Sequence, residues 1–253
     1  MNRGPVAEMT RAFRCDLHIH TCLSPCAELG MYPTALVKKA IEAGLEIIAV
    51  CDHNASENVA AVMAAAREEL LQVLPGMEIT SREEVHLIAL FEGMDPLLRL
   101  QEVIYAGLSG VNDEARFGCQ VIVNEADEVE GFHPRLLIGA TGYSVGDLVG
   151  RIHGLGGVAI ASHIDRESFS VISQLGFIDP GIPFDALEVS RRLPLAQARA
   201  RYPELAAFPL LTSSDAHRIG EIGTAWTDIF LLSPTLGELK MAFAGREGRY
   251  VTG

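Results

Sequence analysis

The sequence predicts an α/β fold built as a β/α barrel, on three observations. Short apolar runs alternate with amphipathic segments, the rhythm of β/α units around a parallel sheet. Residue types that ligate metals recur directly after several of those runs, and the C-terminal strand ends are where such barrels carry their sites. The chain has 253 residues, enough for one barrel domain of roughly 250.

The elements follow in order. A strand covers 14–19. A helix covers 33–43, with Pro33 in its first turn and Gly44 ending it. EIIAVC at 46–51 is a buried strand, and 56–71 reads as a helix with Ser56 at its N-cap. Strands follow over 73–80, 84–91, 157–162, 186–189, 210–213 and 226–232, and a helix over 236–244 closes the chain. The stretch 117–132 (FGCQVIVNEADEVEGF) breaks the rhythm and reads as an insertion, a hairpin or lid, within a single domain over 1–253. Its acidic residues read as a solvated face or as a lid that repels anions.

Composition narrows the function. With 49% hydrophobic and 21% charged residues the chain is neither disordered nor fibrous. Twenty Lys and Arg against 33 Asp and Glu give a net charge of −13, which disfavours long nucleic acid as a partner. No uncharged apolar run reaches the ~18 to 20 residues of a membrane span, and the N-terminus has no apolar signal core. A cytoplasmic protein with no membrane partner is the expectation. Four of five cysteines (Cys15, Cys22, Cys26, Cys51) crowd near histidines in the first fifth of the chain, as reduced thiols rather than a disulfide framework.

Six of eight histidines fall at or just after predicted strand ends. In DLHIHT (16–21), a period of two places Asp16, His18 and His20 on one face, with Leu17 and Ile19 against helices. CDHN (51–54) follows EIIAV, and GMEIT (76–80) carries Glu78. EVHLIAL (84–90) carries His86 and ASHIDR (161–166) carries His163, while SSDAHR (213–218) repeats the first spacing with Asp215 and His217. Each signal alone is weak; a His-X-His or a lone Glu has ordinary structural uses. Together they imply a metal centre, because buried imidazoles and carboxylates are costly unless satisfied and neutral imidazole is a standard ligand. His133, in the insertion, and His153, in a helical stretch, lie outside this pattern.

These six motifs, in this order, resemble those of the PHP (polymerase and histidinol phosphatase) superfamily. The resemblance runs from about Arg14 to the C-terminus and is less characteristic over 100–145. It implies a distorted TIM-like (β/α)7 barrel with two or three divalent ions, zinc, manganese or iron, at one end. On the family pattern His18, His20, Glu78 and Asp215 hold one ion. Glu78 bridges to a second held by His86 and His163. His53 and His217 hold a third with a ligand from the loop after the first strand. Here Cys26 falls near that last position, with Glu28 behind it; a thiolate there suits a soft metal. The activity implied is hydrolysis of a small phosphate monoester by a metal-bound hydroxide. Asp52 or a metal-linked histidine would protonate the leaving group, and Asp16 would orient a ligand imidazole. Arg166, Arg191, Arg192 and Arg218 each follow a strand end and can grip phosphate; surface ion pairs are their ordinary alternative.

Three other readings compete. One is a nucleotide or short-oligonucleotide phosphoesterase or nuclease. A second is an amide or lactone hydrolase; its usual strand-end bridging lysine is absent, since Lys38, Lys39 and Lys240 all fall in predicted helices. The third is a non-catalytic metal-binding module.

Overall fold

The computed structural model describes residues 9–252; expectations for residues 1–8 and 253 lie outside it. The strands are β1 (Arg11–Ile19), β2 (Ile47–Val50), β3 (Gln72–Thr80), β4 (His86–Leu90), β5 (Val121–Val123), β6 (Val129–Phe132), β7 (Val158–Ala161), β8 (Ala186–Val189), β9 (Leu210–Thr212), β10 (Thr227–Leu231) and β11 (Tyr250–Val251). The helices are α1 (Pro33–Glu42), α2 (Val59–Ala65), α3 (Met94–Gly107), α4 (Glu114–Phe117), α5 (Val145–Gly154), α6 (Val171–Leu175), α7 (Leu195–Arg201) and α8 (Leu236–Phe243).

Seven strands, β1 to β4 and β7 to β9, form the wall of a distorted TIM-like barrel, and β10 and β11 add on beside β1. The wall nearly closes where Ile19 bridges Ala216 in parallel, with His20 N donating to Ala216 O at 3.0 Å. The Thr227 hydroxyl joins the lower part of the seam by donating to Thr212 O and accepting from Thr212 N.

The sequence rhythm predicts a parallel sheet, but three strand pairs that involve β4 or β10 with the wall run antiparallel. β4 runs antiparallel to both β3 and β7, and β10 runs antiparallel to β1. The cause is connection length. Only five residues, 81–85, separate β3 from β4, whereas a parallel crossover needs a dozen or more. The reversal sets the start of β4 beside the end of β3, and Thr80 pairs with His86.

Alternate strand residues feed two cores. Ile48, Val50, Met77, Leu87 and Ala159 pack against α1, α2, α3 and α5 in the larger, outer one. Phe13, Cys15, Leu17, Ile47, Ala49, Leu74, Ile160 and Leu211 fill the inner one, which α8 plugs with Leu236 and Leu239. Leu17 thus packs inside the sheet rather than against helices. A β-bulge is responsible: Asp16 pairs with Ile48 but Ile19 pairs with Val50, so three steps on β1 match two on β2. The extra residue shifts side-chain parity along the strand.

Helix α2 is shorter than predicted and Ser56 does not cap it. Asn58, at the cap position, instead donates to Thr21 Oγ1 and Val121 O and accepts from Val123 N, each at 3.0 Å. The 117–132 stretch begins at the last residue of α4 and carries a separate β5–β6 hairpin. Val121 N donates to Cys22 O at 3.0 Å, so the hairpin rests on the loop after β1.

Gly76 lies inside β3, where a Cβ would sit 2.9 Å from Cys51 Sγ, Leu90 Cδ2 and Val50 O. Gly76→Ala is expected to cost about 1–3 kcal/mol through overpacking, measured as a lowered urea midpoint at unchanged m-value.

Candidate metal centre

The site is assembled where β1, β2, β3, β7 and β9 end and β4 begins. Glu78, 1% exposed, is its middle. Its carboxylate oxygens lie 3.0 Å from His86 Nδ1, 3.1 Å from His53 Nδ1, 3.3 Å from His18 Nε2 and His163 Nε2, and 3.5 Å from His20 Nε2. Asp215 closes the other side, 3.4 Å from His18 Nε2 and 3.3 Å from His20 Nε2. His217 stacks on His20 with ring centroids 4.1 Å apart.

Hydrogen bonds behind the ring fix the tautomers. His18 Nδ1 donates to Glu188, 3.0 Å away, so in the neutral ring Nε2 is left as the ligand nitrogen. The Ser24 hydroxyl donates to Asp52 Oδ1 at 2.6 Å and accepts from His20 Nδ1 at 3.0 Å, so in the neutral ring His20 Nε2 is left as one too. These two nitrogens face each other at 3.2 Å, with Glu78 and Asp215 converging on them. Buried lone pairs and carboxylates pointed at one spot repel unless a cation occupies it. The donor set therefore fits divalent metal. Three groups bring their ligand atoms close enough to share an ion: His18, His20 and Asp215; His20, His53 and His217; and His53, Glu78 and His86. The buried Nδ1 of His163 lacks a hydrogen-bond partner.

Ionisation of the bare side chains expresses the same demand for positive charge. Burial opposes charging His18, yet Glu188, Glu78 and Asp215 raise its pKa well above the usual range. Burial would raise Glu78, but His86, His18 and His53 hold it well below the carboxylate range. Burial and the neighbouring His217 push His20 well down. Burial would lift the Cys26 thiol, but His53 and His217 bring it down to about 6.

Seven of the nine proposed ligand positions fall in the three groups; His163 lies outside them but 3.3 Å from Glu78, and Cys26 stands at the rim beside His53 and His217. Two carboxylates differ from expectation. Asp16, fully buried, accepts from Ser214 N at 2.9 Å and Gly223 N at 3.2 Å and has no imidazole partner. The bulge in β1 turns it away from His18, and it anchors the loop that carries Asp215. Asp52 is also fully buried and accepts from Thr21 N, Thr21 Oγ1 and Ser24 Oγ. It does not line the cavity and steadies His20 through Ser24.

Among the arginines, Arg166 pairs with Asp215 and lines the cavity. Arg192 borders the adjoining groove, while Arg191 pairs with Glu221 at 2.8 Å and Arg218 with Glu28 at 3.2 Å, both away from the cavity. His133 turns to Glu57 at 3.4 Å and does not line the cavity. Sequence reasoning missed Glu188. The available signal was a lone carboxylate in ALEV, a strand buried at all four positions.

The cavity holds about 210 Å³ and is lined by Cys26, His53, Glu78, His86, His163, Asp215 and His217, with Ile138, Arg166 and Phe169 at its edge. Three non-glycine residues at the strand ends, Asn54, His163 and Asp215, have positive φ of 51°, 29° and 49°. Such strain persists where surroundings enforce it, and it collects at functional sites.

Fold and site together define a barrel whose strand ends converge histidines and carboxylates on a candidate metal centre. Residues 16–152 match the family model "PHP domain" and residues 198–246 match "PHP-associated". The chain belongs to the PHP family. Over 85 residues it is 31% identical to a 5′-3′ exoribonuclease of Haemophilus influenzae, covering 32% of this chain and 29% of that one. Its fold is similar to the lesion-specific endonuclease of Pyrococcus furiosus (TM-score 0.73, 14% identity, 95% of this chain and 58% of that one). It is also similar to a candidate metal-dependent phosphoesterase of Bifidobacterium adolescentis (TM-score 0.54, 20% identity, 82% and 89%). The chain thus spans less than two thirds of the exoribonuclease and of the endonuclease.

Glu188→Gln keeps an acceptor for His18 but removes the charge behind it. We expect metal affinity to fall about 10- to 100-fold, read by chelator competition. Glu78→Gln should lose more than one equivalent of bound metal, read by elemental analysis, because the carboxylate lies within 3.5 Å of five ligand imidazoles.

Proposed function

We propose that the protein is a metal-dependent phosphoesterase acting on nucleotides or short single-stranded oligonucleotides. The observation that carries the reading is the convergence of His18, His20 and Asp215, and of His53, Glu78 and His86, with Asp215, His53, Glu78 and His86 lining one small cavity. Divalent ions bound there would neutralise phosphate oxygens and make water a nucleophile near neutral pH. Glu188 and the Ser24–Asp52 pair hold the ligand imidazoles in one tautomer, so the site needs little rearrangement to load. Arg166, 44% exposed and tethered by Asp215, offers a guanidinium to a phosphate entering the mouth.

The similarity to an exoribonuclease supports a nucleotide-bearing substrate over an arbitrary phosphate monoester. So does a groove of about 580 Å³ beside the cavity, lined by Asp165, Arg166, Glu167, Ser168, Ser190 and Arg192. A small phosphate monoester is the second reading, favoured by the cavity's own 210 Å³.

The test is phosphate or nucleotide release with manganese and with chelator, across sugar phosphates, mononucleotides and 5′-phosphorylated dinucleotides to hexanucleotides. Chelator-sensitive turnover that favours the oligonucleotides is expected; a preference for sugar phosphates would sustain the second reading. No turnover by metal-loaded protein would exclude both. Arg166→Ala should lower kcat/KM about 10- to 100-fold, the loss of one charge-assisted contact, with bound metal unchanged.

A further inference from the structure

Phe169 is an aromatic side chain that the metal centre does not explain. It lies between β7 and α6, in the segment 162–170. Its carbonyl accepts from His86 N at 2.9 Å, which fixes the backbone at the start of β4. Its ring stacks on the His86 imidazole, with centroids 4.6 Å apart and planes 21° from parallel. The residue nevertheless stays 39% exposed, at the edge of the cavity. Its φ is +59°, a conformation that bulky side chains rarely adopt. A strained backbone here holds a flat apolar ring at the mouth of a polar site instead of burying it.

The surroundings limit what such a ring can meet. Arg166 lines the same cavity, and Arg166 and Ser168 border the neighbouring groove. Arg192, on that groove, makes no ion pair among the described residues, so a cation stands ready where a sugar-phosphate chain would leave the mouth. A phosphate ester drawn in by the centre would therefore place the group attached to its sugar over the Phe169 ring. Stacking on an aromatic face is how proteins hold nucleobases without reading their sequence.

We propose that Phe169 is the platform on which a nucleobase of the substrate stacks, making it a specificity-determining residue of this site. The inference rests on the phosphoesterase reading above and adds to it the part of the substrate that distinguishes a nucleotide from other phosphates. His86 covers one face of the ring and holds it upright. Any base can take the remaining exposure, so the selection is for an aromatic base rather than for one letter.

The experiment compares wild type with Phe169→Ala and Phe169→Tyr on two metal-activated substrates of equal charge. One is a 5′-phosphorylated adenine dinucleotide; the other is the same dinucleotide with both bases replaced by hydrogen. Phe169→Ala should lose roughly 5- to 150-fold in kcat/KM on the base-bearing substrate, the range of one base–aromatic stack, and less than about 3-fold on the abasic one. Phe169→Tyr, which keeps the ring, should restore the difference. Equal loss on both substrates would assign Phe169 to supporting His86 and overturn the proposal. A hydrolysis-resistant 2-aminopurine dinucleotide gives a readout independent of turnover. Its fluorescence should be quenched by wild type and Phe169→Tyr and stay bright with Phe169→Ala. Quenching that survives in Phe169→Ala overturns the platform even if the enzyme is active. Quenching without turnover of any phosphate ester would support the platform and refute the phosphoesterase reading.

Discussion

Five imidazole nitrogens within 3.5 Å of one buried carboxylate is the constraint around which this barrel is organised. Two oxygens serve five imidazoles at Glu78, while Glu188 and Ser24 turn the Nε2 atoms of His18 and His20 inward as ligand atoms. Removing the outer carboxylates would let those imidazoles rotate and relieve the conflict. The fold instead buries Glu188 and Asp52 to enforce it. The positive φ of His163 and Asp215 has the same character: local strain tolerated so that ligand atoms converge. Beneath the site the chain makes no such compromise. Cys15, Leu17, Ala49, Leu74 and Ile160 form a dry floor with α8 under it. That floor lowers the local polarity and makes uncompensated charge above it more costly.

How much of this could be read from sequence depends on how each residue reaches the site. His18, His20, His53, Glu78, His163, Asp215 and His217 come from strand ends or the residues just beyond, and an apolar run followed by a polar ligand type is visible in one dimension. His86 is different, because it opens its strand. It reaches the same rim only because β4 runs against its neighbours, a reversal implied by the five-residue link from β3. Asp16 illustrates the limit of a period-two argument. One extra residue in β1 is invisible in the sequence, yet it separates Asp16 from the histidines it accompanies along the chain. Glu188 was missed for the opposite reason: nothing near it repeats, and only burial of a lone carboxylate marks it. Arginines were the least legible. Arg166 and Arg218 occupy equivalent places in their motifs, but Glu28 draws Arg218 away while Asp215 holds Arg166 at the cavity.

The net charge of −13 disfavours long nucleic acid, and the structure shows where that charge can act. At physiological salt exposed charges are screened beyond about 8 Å. Acidic residues on the far side of a barrel therefore contribute little to the potential at its mouth. What matters there is the metal centre, with Arg166 at the cavity and Arg192 on the adjoining groove. A substrate one or two nucleotides long stays within reach of those groups. A longer chain must leave them and cross a surface that belongs to a protein of net charge −13. On the proposed reading, acidity does not oppose nucleotide chemistry at the site; it limits how far the rest of the strand can follow.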